Sequence, residues 1–424
     1  MQLLAMVGTF IVGIQLARGL GPAAYGRYGI ALAILTLMMV PGGLGIPKFV
    51  TREVAAALAL EDWPRLFGVI KWADRTCLLA SVLMSVITVG IAAVLARHSS
   101  HLSVAILVGI PSILLLTLAN VRAGALQGMH QVVRGQIPTF LLRPFVFSFS
   151  LFLLFHLQEQ SHSWDAMAAY SVTAVVSLVA GELWMRRYLP AARPTTVADD
   201  RRQWLRSSIP MGLTDGLQVL QGQLSILILG ALAAPTQVGL FRIALSIYVA
   251  ASVPATFLAI AVGPTIARLH SQRDERLQKV LSRSAQVQFA TVLLICLPLL
   301  AFPAAMLSFV FGRVYGASAG ALVVLLIGLL INAGFGLNSQ LLNMTGHEKR
   351  LTEATVAGLA TNIVVTAALV PSMGGVGAAV GTSASMLVWN VIASYQAWRR
   401  LGIGTSVFAS ASRRTEPSAT TDRG

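Results

Sequence analysis

Charge is scarce in this chain, and negative charge is scarcest. Only 11% of its 424 residues are charged, and 16 Asp and Glu face 31 Lys and Arg. Soluble domains carry about 25% charged residues, so there is too little polar surface here to cover a water-borne globule. Cysteine is nearly absent too: Cys77 and Cys296 lie far apart, at or inside apolar runs, with no CxxC and no Cys/His cluster. That excludes a disulfide framework and a zinc-type site. His98 and His101 share a short polar loop without an acidic companion, so no metal is expected there either. No GxxxxGK[ST] loop is present, which excludes ATP hydrolysis on a phosphate-cradling loop. Long polar connections are missing from one side: "RHSSH", "QEQSHSW", "AAPTQV", "FGRVYGASAG" and "PSMGG" cannot house a catalytic domain. An enzyme is therefore not expected, and no cofactor is implied.

What the chain does have is oil. It is 56% hydrophobic with a mean hydropathy of +0.75. Twelve apolar runs stand at about 3–17, 28–47, 76–96, 102–121, 137–157, 166–185, 208–231, 239–263, 286–311, 320–343, 354–371 and 375–397. Runs of this kind are long enough to cross a hydrocarbon core of roughly 30 Å. Backbone polar groups bare to lipid are too costly, so the spans are helices or closed-barrel strands. Barrel strands would alternate over about ten residues, and these runs are continuously apolar. The expected fold is an all-α polytopic membrane protein of twelve transmembrane helices. The first run lacks a small-residue cleavage site and is not expected to be a removed signal peptide.

The net charge of +15 does not form one basic patch that could hold nucleic acid. It is sorted by side of the membrane. The connections 48–75, 122–143, 186–206, 268–283 and 349–350, with the tail from 399, hold 26 basic residues, and the alternate set holds 4. Basic connections stay in the cytoplasm, which puts both termini there. The segment "RRYLPAARPTTVADDRRQWLRSS" is punctuated by proline and charge. It is expected to be a cytoplasmic linker (186–207) between two six-helix bundles, 1–185 and 208–400. "ARLHSQRDERLQKVLSRSAQ" (267–286) is expected to form a charged helix lying on the cytoplasmic surface. Residues 401–424 are polar and Ser/Thr-rich, as disordered tails are.

The two halves share a signature. Pro22, Gly26, Tyr28, Ile30, Ala31 and Leu32 align with Pro235, Gly239, Phe241, Ile243, Ala244 and Leu245 at a constant offset of 213. Each set falls where the first two helices of a six-helix half turn on the outside. Internal duplication of this kind is a plan of secondary transporters, with the substrate path at the interface of the halves. Pro41, Pro47, Pro254 and Pro264 fall two per repeat, where each is expected to kink a span, for movement or for static packing.

The stretch "ARGLGPAAYGRYGIALAI" resembles the A-R-x-L-G-P-x-x-[FY]-G-x-[YF] hairpin of lipid-linked oligosaccharide flippases. "LQGMHQ" (126–131), "FGRVYGASAGALVVL" (311–325) and "LNMTGHEKR…LATNIVVTAALVPSMGGVGAAVGTSAS" (342–385) resemble later motifs of the same family, in order. The family is the Wzx-type polysaccharide-export branch of the superfamily that also holds multidrug-and-toxin extruders. The resemblance implies a MATE-like fold of two bundles around a central cavity, in a bacterial cytoplasmic membrane. It implies as cargo a polyprenyl-diphosphate-linked glycan, and as partners the polymerase and glycosyltransferases of the same pathway. The alternative is a multidrug antiporter of that superfamily, which would need an aromatic, acidic cavity. One departure stands out: only 17 residues precede Arg18, about 25 Å of helix. Either the first helix is short or the true start lies upstream.

Ionisable and amide side chains inside spans are the candidates for handling cargo, because their cost in lipid must be met by a wet cavity or a partner. Arg242 in the eighth span and Asp215 in the seventh are the most deeply placed. They lie toward opposite faces, and Asp215 is the candidate for ion coupling. On a wheel of 100° per residue, Gln218 and Gln221 share an arc with Asp215, and Gln223 points away. Asn332 and Gln340 share another arc in the tenth span, with Asn338 outside it. Both arcs suit a cavity lining or interhelical hydrogen bonds. Arg18, Arg52, Arg122 and Arg143 sit at span ends, where arginines snorkel to the interface. Arg18 and Arg52 match basic positions of the family, which makes them the diphosphate candidates of the four.

Overall fold

The computed structural model describes residues 2–97, 99–158, 160–189, 200–272, 274 and 276–407. Its α-helices run in chain order: α1 Gln2–Gly43, α2 Ile46–Ala59, α3 Trp63–Ala96, α4 Ser100–Gly109, α5 Pro111–Gly128, α6 Val132–Ile137, α7 Arg143–Leu157 and α8 Ser163–Tyr188. They continue as α9 Arg201–Leu232, α10 Pro235–Ser271, α11 Arg276–Ala301, α12 Pro303–Phe311, α13 Ala319–Gly334, α14 Asn338–Met344, α15 Glu348–Met373 and α16 Gly375–Leu401. A π turn, Pro138–Leu142, joins α6 to α7, and a 3₁₀ turn, Arg313–Ser318, precedes α13.

Eleven helical stretches among the described residues are long and apolar enough to cross a membrane, and the first, Leu4–Ala59, is 56 residues long. At 1.5 Å per residue it would reach about 84 Å, more than twice a hydrocarbon core. It is broken at Gly21, whose φ of 72° and ψ of 169° leave the helical region. Pro22 comes next and starts the second crossing with its missing N–H at no cost. Divided there, the stretches match the twelve expected spans. Along α3, Leu79, Leu83 and Val86 are exposed on one stripe, as lipid-facing residues of a spanning helix must be.

By packing, the chain divides into two compact units, Met1–Ser246 with Ala304–Ala319 and Thr366–Ala378, and Ile247–Pro303 with Gly320–Val365 and Ala379–Gly424. These bounds differ from the division into 1–185 and 208–400.

In the first unit, the glycines of the two matching hairpins meet each other. A Cβ on Gly26 would overlap the carbonyl oxygen of Pro235, and a Cβ on Gly239 would overlap that of Pro22. The offset of 213 is thus a packing relation: each repeat's glycine receives the other repeat's proline carbonyl. A GxxxG pair on α5, Gly124 and Gly128, similarly admits the backbone of α2, against the carbonyls of Pro47 and Thr51. Farther along, Phe49, Trp72 and Trp204 stack edge to face at 5.6 and 5.5 Å, tying α2, α3 and α9 together. In the second unit, Ile266, Leu281, Leu341, Leu342 and Ala393 form the buried centre.

Several local expectations are corrected. Pro47 does not kink a span; it opens α2 after Gly45, which has φ 69°. Among the described residues, no separate surface helix covers 267–286. α10 continues to Ser271, and the Asp274 carboxylate accepts the Arg276 N–H at 2.8 Å to start α11. At the expected linker, 186–207, α8 runs to Tyr188 and α9 begins at Arg201. Residues 190–199 lie outside the described residues, as do 408–424 of the tail and His98. The first tail residues are ordered: Gly404 exchanges hydrogen bonds with the Gln278 side chain at 2.7 and 3.1 Å.

Candidate functional site

A cavity of about 280 Å³ opens inside the first unit. Arg143, Arg242, Tyr25, Tyr28 and Tyr170 line it, with threonine and serine hydroxyls between them and no carboxylate among the described lining residues. Arg242 comes from α10, one turn past Gly239. Its guanidinium lies 5.3 Å from the Tyr25 ring centre and 5.5 Å from that of Tyr28. Gly29 makes room for it, since a Cβ there would overlap the arginine's Cδ. At the offset of 213, Gly29 is the counterpart of Arg242 itself. One repeat supplies the cation and the other the space. Cation–π contact of this kind is worth about 0.5–2 kcal/mol and leaves the guanidinium N–H groups free to bind an anion.

The second arginine is placed by the π turn. The Arg143 N–H bonds back to the Pro138 carbonyl, five residues earlier. One residue inserted into a 3.6-residue turn swings the succeeding helix by about 100°. The Arg143 side chain, turned this way, donates to Asn120 Oδ1 at 3.0 Å and to Ser177 Oγ at 3.3 Å. Phe147, packed on Tyr28 and Tyr170 at 6.3 and 5.7 Å, closes the aromatic wall. A second cavity, of about 210 Å³, adjoins this one through Thr139, which lines both.

The candidates named from sequence fall into three groups. Arg242 lines the first cavity. Asp215 accepts an ion pair from Lys48, and Lys48 lines the second cavity. Gln218 is exposed and Gln221 half-buried on the same helix. The others are engaged elsewhere. Arg18 donates to the carbonyls of Phe309 and Val310 at 2.9 and 3.0 Å, capping the C-terminus of α12. Arg52 lies over the Phe49 ring at 5.3 Å and pairs with Glu53, which also takes Arg65 at 2.7 Å. Asn332 accepts from Asn390 at 2.7 Å, and Asn390 accepts from Asn338 at 3.0 Å. Gln340 packs over Gly263.

Asn332 and Gln340 do not share one arc, because the helix breaks between α13 and α14 at Gly336, with φ 69°. The break resets the wheel and turns Asn338, expected outside the arc, into the buried centre of the amide cluster.

Arg122 is not an interfacial snorkel. It is buried between α3, α5 and α8, where it pairs with Asp74 and, at 2.5 Å, with Glu182; Glu182 also holds Arg186 at 2.7 Å. Removing one partner of such a network strands the others, at a cost of about 3–5 kcal/mol. Arg122→Leu is therefore expected to lower the thermal midpoint in detergent sharply. The triple change with Asp74→Asn and Glu182→Gln should recover most of the loss. If Arg122→Leu alone melts like the parent protein, the network is not holding the three helices.

Residues 1–270 match the family described as "Polysaccharide biosynthesis protein". The chain belongs to that family. Curated proteins offer no sequence match. Among solved structures, this family member is similar to an inward-facing multidrug resistance MATE family transporter of the MOP superfamily. The TM-score is 0.78 at 15% identity, over 94% of each chain. It is also similar to a MOP superfamily transporter from Pyrococcus furiosus, at TM-score 0.65 and 17% identity, over 95% of this chain and 94% of that one. At such identities the likeness is one of fold. The polysaccharide biosynthesis protein is thus an all-α, multi-pass membrane protein with a MATE-like transporter fold.

Proposed function

We propose that this protein is a flippase that moves a polyprenyl-diphosphate-linked oligosaccharide, such as an O-antigen, capsule or exopolysaccharide repeat unit, across a bacterial cytoplasmic membrane by alternating access. The halves 1–185 and 208–400 would be its two functional repeats. The observation that supports this most is the charge of the first cavity: its aromatic wall would suit either cargo, but it has two arginines and no carboxylate among its described lining residues. A diphosphate is anionic and accepts hydrogen bonds, and paired guanidinium groups meet both demands. A multidrug antiporter carries lipophilic cations and would need the opposite charge in that place.

Asp215, held by Lys48, is the proposed ion-coupling group. Asp215→Asn is expected to abolish the dependence of transport on an imposed proton or sodium gradient in proteoliposomes. Unchanged dependence would remove Asp215 from that role. For the cargo itself, a strain lacking the protein is expected to accumulate lipid-linked glycan on the cytoplasmic face. Normal surface glycan in that strain, together with new sensitivity to cationic dyes, would favour the antiporter instead.

A further inference from the structure

The second cavity carries three amide side chains, which its neighbour's lining lacks. Lys48, Thr51, Asn120, Gln127, Gln136 and Thr139 supply its polar lining. Lys48 is occupied by Asp215, so the cavity is not a second anion site. Carboxylates are missing from its described lining, which leaves nothing to hold a cation. Pro47, Ala123 and Phe140 line the rest of it.

What such a lining fits is a ring of neighbouring hydroxyl groups. Each primary amide offers two donors and a carbonyl acceptor, and each sugar hydroxyl both gives and accepts. The Gln127 and Gln136 side chains are half-buried and make no hydrogen bond to other described residues, so their amide groups stay open to an incoming hydroxyl. Thr51 Oγ1 is directed to the carbonyls of Pro47 and Gly124, at 3.0 and 3.1 Å, and keeps its lone pairs for an incoming donor. The volume of about 210 Å³ lies below the roughly 300 Å³ at which drug-sized sites begin. It suits one ring better than an oligosaccharide.

The two cavities are also joined in a fixed order. Thr139, on the π turn, faces both, and Arg143 of the first donates to Asn120 of the second at 3.0 Å. We propose that the second cavity is a saccharide subsite, which takes the sugar ring attached to the diphosphate held by Arg143 and Arg242. This rests on the lipid-diphosphate reading above and adds where the first sugar sits and which amides recognise it. Recognition of that ring would make the protein selective for glycosylated lipid over the bare diphosphate carrier, which must not be moved in its place.

The test compares two probes on the purified full-length protein in detergent: farnesyl diphosphate, which has no sugar, and glucosyl farnesyl diphosphate. The parent protein is expected to bind the glucosyl probe about tenfold tighter, the worth of one or two net hydrogen bonds. In Gln127→Leu/Gln136→Leu, similar in side-chain size, that preference should fall to near unity while farnesyl diphosphate binds as before. Gln136→Leu alone should lose part of it, which keeps the test open if the double variant does not fold. A double variant that keeps the preference, or that weakens both probes equally, would overturn the subsite. So would a parent protein that binds the two probes equally tightly. A parent protein that binds neither would instead overturn the lipid-diphosphate reading, and the subsite with it.

Discussion

Replacing Arg143 and Arg242 together with glutamine is expected to abolish binding of a lipid diphosphate and to stop its translocation. Each single variant should weaken binding by roughly ten- to a hundredfold, the loss of about 1.5–3 kcal/mol that attends removal of a charged hydrogen-bond donor. Arg242→Lys should fall between Arg242→Gln and the parent protein. It keeps the charge but loses the planar fork and most of the stacking on Tyr25 and Tyr28. Arg143→Lys should be nearly as damaging as Arg143→Gln, since the side chain also has to reach Asn120 and Ser177 at once. Equilibrium binding of farnesyl diphosphate checks all five variants. If the single glutamine variants bind like the parent protein, the cavity arginines are structural and the cargo assignment loses its main support.

A methyl group on Gly26 should cost more than many larger core changes. The Cβ would lie on the Pro235 carbonyl oxygen, which is backbone and cannot rotate aside, so the two hairpins must part. Overpacking a tight contact costs about 1–3 kcal/mol and sometimes more. Gly26→Ala and Gly239→Ala are each expected to lower the thermal midpoint, and Gly26→Val to lower it further. Transport should fall with them, because Arg242 stands one turn from Gly239 and is seated against Gly29. Gly90→Ala is the control: nothing lies within 4 Å of a Cβ there. In an exposed helix that change should stabilise slightly, by up to about 1 kcal/mol. Equal midpoints for Gly26→Ala and Gly90→Ala would mean that the hairpins do not meet as described.

The spans and the hairpin repeat were legible in the sequence because both are local. A hydrocarbon core enforces continuous apolar runs, and a turn between spans enforces Pro22 and Gly26 and their counterparts Pro235 and Gly239. Arg242 was legible for a related reason: a cation in the middle of an apolar run has few places to go. Arg143 was misplaced among the snorkelling arginines, although it lies inside the fifth run between Pro138 and Pro144. Its direction depends on a π turn that a uniform wheel does not contain. The same assumption failed at Gly336, where a break moved Asn338 from the margin of an arc to the centre of a buried cluster. Arg18 shows a different limit. Its motif was recognisable, but its partners are carbonyls 291 and 292 residues away, and no spacing rule reaches that far. The amide cavity was not legible at all, because Gln127 and Gln136 stand in a basic connection that reads as solvent-facing until α2, α5 and α6 are packed together.

The most direct measurement reconstitutes the protein into vesicles carrying a fluorescent polyprenyl-diphosphate-linked saccharide and monitors how much of it a membrane-impermeant quencher can reach. The account predicts that the parent protein brings label from the inner leaflet within reach of the quencher, and that Arg143→Gln/Arg242→Gln does not. No movement of label by the parent protein, with uptake of tetraphenylphosphonium by the same vesicles, would contradict it.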